Sequence, residues 1–458
     1  MTTLSSRRKS ALAPALIILL LILGGSLIAA FLLFFEGTPP TATIDAGSSF
    51  LGTAGTVGIS VEDGQSGLRL LQATLTQGTV EKQLFREDFP RLGYTGLIGV
   101  ARKQVDIAVQ PAQLGFSDGT ATLTVTGVDY SNRNFFRGNT VTVSHELTID
   151  TTAPKIGILY SDRYVSPGGA GLVVYRVNDT ESTSGVLVDN AYHPGFPIGD
   201  DHPDTYVALF ALPYDATDIE GAQVVAKDPA GNQSTLPFSS TFKATVFKED
   251  RINVDDRFLE VKIPEFQNYY PQMQGSLLER YLYINTTVRD QNNKKISELC
   301  ATPHPKRLWS GHFSRMPGSP RAGFADHRTY YYNGQAIDRQ VHLGIDIAST
   351  MQAEVRAAAT GLVTHADYLG IYGNMVMLDH GQGVFSLYSH LSQITVSVGD
   401  TIEHNAPLGL TGTSGMAGGD HLHFSVLING VFVTPIEWWD QHWIDVNIES
   451  PLQEARFQ

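Results

Sequence analysis

Near residue 420 the chain reads "GGDHLHFSV", Gly418 to Val426, with two histidines on either side of one leucine. Alternate side chains of a strand share a face, so His421 and His423 would stand about 6.6 Å apart along the chain, with Leu422 and Phe424 on the opposite face. Two imidazoles so placed suit metal ligation or proton transfer near neutral pH. Taken alone, His-x-His is a weak signal, because polar positions on half-buried strands are common. The distribution of histidine strengthens it: of 14 in the chain, His145, His193 and His202 precede residue 300 and eleven follow it.

Two other stretches supply partners. "VHLGIDIAS" carries His342 and Asp346 with Gly344 between them, a residue that permits close backbone packing. "LYSHLS" carries His390 at the end of a run of alternating apolar residues. Catalytic zinc takes three protein ligands and keeps a fourth position for water. His342, Asp346 and one histidine of the "HLH" pair make such a set, and two histidines remain for the general base and the donor that hydrolysis requires. A single cysteine, Cys300, excludes a Cys-rich zinc site and an internal disulfide framework, so histidine and carboxylate must hold any metal.

These residues need a scaffold that brings them together. From Leu308 to about Trp443, "AEVRAAATG", "LVTHADYLG", "GNMVMLDHG" and "GVFSLYSHL", with turns at Gly361, Gly373, Gly381 and Gly412, predict an antiparallel sheet or small barrel whose open face gathers four histidines and one aspartate. In this order and at these separations, "HLGID", "GNMVMLDHGQGVFSLYSHLS" and "GGDHLHF" resemble the lysostaphin and LytM-type zinc metalloendopeptidases, metallopeptidase family 23. The likeness covers about 140 residues, from "LWSGHF" through "PIEWWDQHW".

The resemblance implies a Zn²⁺-dependent endopeptidase that cuts peptide cross-links of bacterial peptidoglycan. It implies His342, Asp346 and His423 as the metal ligands. It implies His390 and His421 as the catalytic pair that orients and deprotonates the attacking water and stabilises the tetrahedral intermediate. Some members have lost these residues and only regulate other wall hydrolases; this chain retains all five, which argues for activity. A tyrosine that some members carry shortly before the first ligand has no clear match, although Tyr330, Tyr331 and Tyr332 are nearby. His380, at a turn, resembles a recurring structural position of the family. Asp420 is read as a solvent-facing turn residue in preference to a partner for an imidazole.

The remaining chain supports a mainly β fold class. Residues 38–150 and 151–247 alternate short β-rich runs with Gly, Asp, Asn and Pro turns, and they resemble two immunoglobulin-like β-sandwiches. Residues 248–300 include "GSLLERYLYINTTVRDQNNKKISEL", where Ser276 and Glu279 have capping-box spacing, and predict a helical linker to the peptidase domain at 301–445. The sequence leaves open whether these helices cover the cleft.

Ala11 to Phe35 is a run of 25 uncharged residues, long enough to cross a bilayer and longer than the apolar region of a cleaved signal peptide. Arg7, Arg8 and Lys9 before it place residues 1–10 in the cytoplasm. The expectation is an uncleaved, single-pass anchor at residues 11–35 in a bacterial inner membrane, with the bulk of the chain in the periplasm. A formal net charge of −14 with no basic stripe argues against a nucleic-acid partner. Two other readings stand beside the enzyme: a non-catalytic peptidoglycan-binding scaffold or regulator, and an adhesive role for the immunoglobulin-like region.

Overall fold

The computed structural model of the protein describes residues 12–93 and 97–457; the expected cytoplasmic segment with Arg7, Arg8 and Lys9 lies outside them. Leu12–Phe34 is one continuous α-helix. Its segment Pro14–Leu32 is long and apolar enough to cross a membrane, a test that a signal sequence also passes.

The chain divides into two compact units, the first of which includes this helix. The first runs through Ala153 and includes Asp228–Asn232. It holds a three-stranded sheet and a five-stranded sheet over one apolar cluster that includes Val57, Ile59, Leu71, Leu123 and Val125. The strands of these sheets alternate as their sequences do; Thr120, Thr122 and Thr124 separate buried Ala121, Leu123 and Val125.

The second unit comprises Pro154–Lys227 and Gln233–Gln458. At its centre is an antiparallel sheet whose main path runs Ser319–Ala322, Ile345–Ala348, Leu422–Ile428, Val384–Ile394, Asn374–Gly381, Gly361–Tyr368 and Thr401–Ile402. Both faces of this sheet are covered. One face, with Val376, Tyr388, Phe424 and Val426, shares a core with Leu172, Val174, Val207 and Leu209. The other, with Met375, Met377, Phe385 and Leu427, shares a core with Leu259, Ile263, Tyr281, Ile284 and Val288 from the helices.

The strands that make the first contact, Ala170–Val177 and Thr205–Ala211, are nearly continuous apolar runs, as burial on two faces requires. Val173 and Tyr175 point the opposite way from Leu172 and Val174, into a further core with Val186 and Val224. Residues 154–227 therefore share a core with the central sheet.

The helical segment differs from expectation at its start: Glu249–Val254 is a strand that pairs in parallel with His327–Tyr332. Helices Asp256–Gln267 and Leu277–Tyr283 follow, and the latter continues through a π-helical turn, Ile284–Val288, into Arg289–Leu299. The Ser276–Glu279 capping box forms: each side chain accepts from the other's backbone N–H, at 3.3 Å and 2.7 Å.

Candidate metal and catalytic site

Leu422, Phe424 and Val426 face the core shared with residues 154–227, and the strand's two-residue period turns His423, Ser425 and Leu427 to the helical side. His423 lies in register with Asp346 on one neighbouring strand and with Ser389 on the other. His342 follows the strand Gln335–Val341 and reaches the same point because Gly344 passes against His423: a Cβ there would lie 2.6 Å from His423 Nε2 and 2.6 Å from Ser425 Oγ.

Three donor atoms converge. His342 Nε2 is 3.0 Å from Asp346 Oδ1 and 2.9 Å from His423 Nδ1, and His423 Nδ1 is 2.9 Å from Asp346 Oδ1. The far nitrogen of each imidazole is committed. His342 Nδ1 donates to Gly323 O at 2.8 Å. His423 Nε2 donates to Ser425 Oγ at 3.1 Å, whose own proton goes to Leu343 O at 2.7 Å. In neutral rings bonded this way the near nitrogens carry lone pairs, and three lone pairs within 3.0 Å repel one another unless a cation lies among them.

This donor set fits zinc. Ligand bonds of about 2.0–2.1 Å in a tetrahedron set the donors roughly 3.3 Å apart, close to the spacing here. All three residues are buried. Burial opposes ionisation of Asp346, yet its polar neighbours, His342 first among them, outweigh it and hold the carboxyl well below the usual range. Burial pushes His423 down to about 4, which keeps it neutral as a ligand must be.

His390 and His421 border the same space, with ring centroids 4.9 Å apart. His421 Nδ1 donates to Gly419 O at 2.7 Å, and its Nε2 stands 3.4 Å from Asp346 Oδ1. His390 Nδ1 donates to Ser414 O at 2.8 Å, which leaves its Nε2 as an acceptor. Burial, then the neighbouring histidines, hold His390 well below its ordinary range. His390 does not end its strand as the apolar alternation suggested. The strand Val384–Ile394 continues past it, and His390 adopts a left-handed backbone, φ 63°, that turns its ring to the site.

The other sequence candidates fall elsewhere. His380 is fully buried within the strand Asn374–Gly381, bonded to Thr360 O and Ser386 Oγ. Asp420 bonds Thr411 Oγ1 and Gln352 N, so it orients no imidazole. Tyr330 lines the cavity in front of the cluster, whereas Tyr331 packs under Arg251 and Tyr332 bonds Asp256.

Sequence reading missed several residues. Ser425 shares the face of His423 and was reachable by the same two-residue count. Arg328, whose Nη2 donates to Asp346 Oδ2 at 3.2 Å, carries no local signal. Nor does the helical segment's share in the cavity of about 320 Å³, which Val254, Phe258, Tyr281 and Arg289 line together with the histidines.

Comparison with known proteins agrees with this geometry. Residues 340–435 match Peptidase family M23. A DD-carboxypeptidase/endopeptidase of Neisseria meningitidis, Mpg, is 39% identical over 97 residues, 21% of this chain and 22% of that protein. The murein hydrolase activator EnvC of Escherichia coli is 38% identical over 95 residues, 21% of this chain and 23% of that protein. The peptidoglycan DD-endopeptidase ShyC of Vibrio cholerae is 28% identical over 164 residues, 35% of each chain. The likeness thus spans between about a fifth and a third of these relatives' lengths.

Proposed function

We propose that this chain, whose C-terminal domain is of peptidase family M23, is a zinc-dependent endopeptidase that hydrolyses peptide cross-links of bacterial peptidoglycan. The observation that carries the reading is the triangle of His342 Nε2, Asp346 Oδ1 and His423 Nδ1, with both imidazole tautomers locked so that lone pairs face inward. A zinc ion held there would supply Lewis acidity, polarising a peptide carbonyl and lowering the pKa of a water.

The chain's own residues supply proton handling. His390 and His421 each give Nδ1–H to a backbone carbonyl and present Nε2 beside the ligand set. One imidazole takes the proton of the attacking water, and the pair hands it on to the leaving amine. Arg328 holds Asp346 Oδ2, leaving Oδ1 for the metal. Residues of the helical segment, Val254, Phe258, Tyr281 and Arg289, form part of the cavity wall beside the reacting atoms.

A set of five alanine variants tests this, with zinc per chain and cleavage of cross-linked muropeptides measured on each. His342→Ala, Asp346→Ala and His423→Ala should lose both metal and turnover. His390→Ala and His421→Ala should keep near-stoichiometric zinc and lose about 10²- to 10⁴-fold in rate. Normal cleavage by all five would leave the scaffold reading in its place.

We further propose that Leu12–Phe34 is an uncleaved anchor of an inner membrane and that two immunoglobulin-like modules at 38–150 and 151–247 lie with the peptidase in the periplasm. The length of the apolar helix supports the anchor. Alkaline phosphatase fused after residue 40 should be active; a mature N-terminus beyond Phe35 would show a cleaved signal instead.

A further inference from the structure

We infer that Arg289 anchors a carboxylate of the substrate in the catalytic cleft, so that the preferred substrate is a peptide with a free carboxylate on a residue at or next to the cleaved bond. This rests on the peptidase reading and narrows its substrate class. Of the residues lining the cavity, Arg289, Arg328 and Asp346 carry formally charged side chains. Arg328 is paired with Asp346, side chain to side chain at 3.2 Å. Arg289 has no carboxylate partner among the described residues; its contacts are neutral.

Those contacts hold it in one pose. Arg289 Nε donates to Asn285 O at 3.0 Å and Nη2 to Asn285 Oδ1 at 2.6 Å, one turn back on the same helix. Asn285 is fixed in turn, its Nδ2 donating to Asp338 Oδ2 at 2.7 Å. Of the five guanidinium N–H groups, two are thereby used and three remain. Asn285 lies in the π-helical turn Ile284–Val288, and Arg289 follows it directly, a helix irregularity that places this side chain at the cavity.

The surroundings make an unpaired cation costly and a bound anion favourable. Phe258, Tyr281, Ile371 and Tyr372 form the adjoining wall, so the local dielectric is low and a carboxylate brought to Arg289 gains more than it would in water. The chain as a whole is acidic, with a net charge of −14, and this cleft is locally positive before any metal is counted: two arginines against one aspartate. A planar guanidinium with free N–H groups favours a carboxylate over a neutral amide through charge-assisted, two-pronged bonds.

The test compares a cross-linked muropeptide dimer with the same dimer whose carboxylates are amidated, on the full chain with zinc. Amidation should raise KM about 10- to 100-fold while kcat changes little. Arg289→Gln should show that loss on the free carboxylate and none on the amide, and Arg289→Lys should recover part of it. In parallel, calorimetry should find that the uncross-linked stem peptide binds the unaltered chain and loses about 10-fold or more in affinity in Arg289→Gln. Equal cleavage of both dimers by the unaltered chain, or an equal loss on both in Arg289→Gln, overturns the assignment, and so does unchanged binding of the stem peptide. If the unaltered chain cleaves neither dimer, the peptidase reading fails, and the binding measurement still decides the role of Arg289.

Discussion

His423 presents Nδ1 to the ligand triangle because Ser425 Oγ occupies its Nε2–H, and Ser425 can accept that bond because its own proton goes to Leu343 O. Removing the hydroxyl frees the ring to take the other tautomer, which would aim an N–H at Asp346 and His342. Ser425→Ala should therefore weaken zinc binding by about 10- to 100-fold with the fold intact. Competition against a chelator of known affinity checks this; an unchanged zinc affinity would show that packing alone orients the ring. His342 is steadied differently, by the carbonyl of Gly323, so no side-chain substitution removes its partner.

The helix Asp256–Gln267 acts on the site through the loop that follows Thr411. Glu265 Oε1 accepts from Gly415 N at 2.6 Å, and Lys262 Nζ donates to Thr413 O. Between these two pinned positions lies Ser414, whose carbonyl receives the Nδ1–H of His390. The helix thus fixes the tautomer of His390, the proposed catalytic imidazole, without touching the ring. Glu265→Ala should loosen the loop and lower kcat by about tenfold, since small misplacements of a catalytic group are costly in rate. Zinc content should stay unchanged. A variant with full kcat would mean that the strand carrying His390, with its left-handed turn at that residue, positions the ring unaided.

At the scale of the second unit, residues 154–227 and the central sheet hold a partly buried acid between them. Glu437, on the short helix Pro435–Trp439, accepts from Ala170 N at 3.3 Å. Burial raises its pKa to about 7, partly offset by that hydrogen bond, with Asp162 adding to the rise. A folded-state pKa above the unfolded value means that the folded state binds the proton more tightly. The stabilisation is complete below the unfolded pKa, near 4.5, and is lost as pH rises through about 7. Thermal unfolding should show a lower Tm at pH 8 than at pH 5. Glu437→Gln should reduce that difference, leaving the share of Asp162, which burial raises to about 6, and gain on the order of 2 kcal/mol at pH 8. A Tm difference that survives the substitution assigns it to other groups.

The gathering of the five candidate residues at one cavity was legible because its signals are local and chemical: two-residue spacing puts His421 and His423 on one side of a strand, and histidine and aspartate are the residue types that hydrolytic zinc requires. The capping box at Ser276 was legible for the same reason, as it lies within one turn of helix. Continuous apolar runs such as "GLVVY" and "YVALFA" already carried the mark of strands buried on both faces, and reading them as sandwich strands missed the second contact. Other features had no local trace. The strand Glu249–Val254 exists because His327–Tyr332 pairs with it from some 80 residues away, and Arg328 reaches Asp346, and Arg289 the cavity, through packing that no spacing encodes. Residue types and short periods specify what a site can do, since both are properties of neighbours in the chain. Which walls close around it, and which charge is left unpaired there, depends on contacts between distant segments, and only the folded structure settles those.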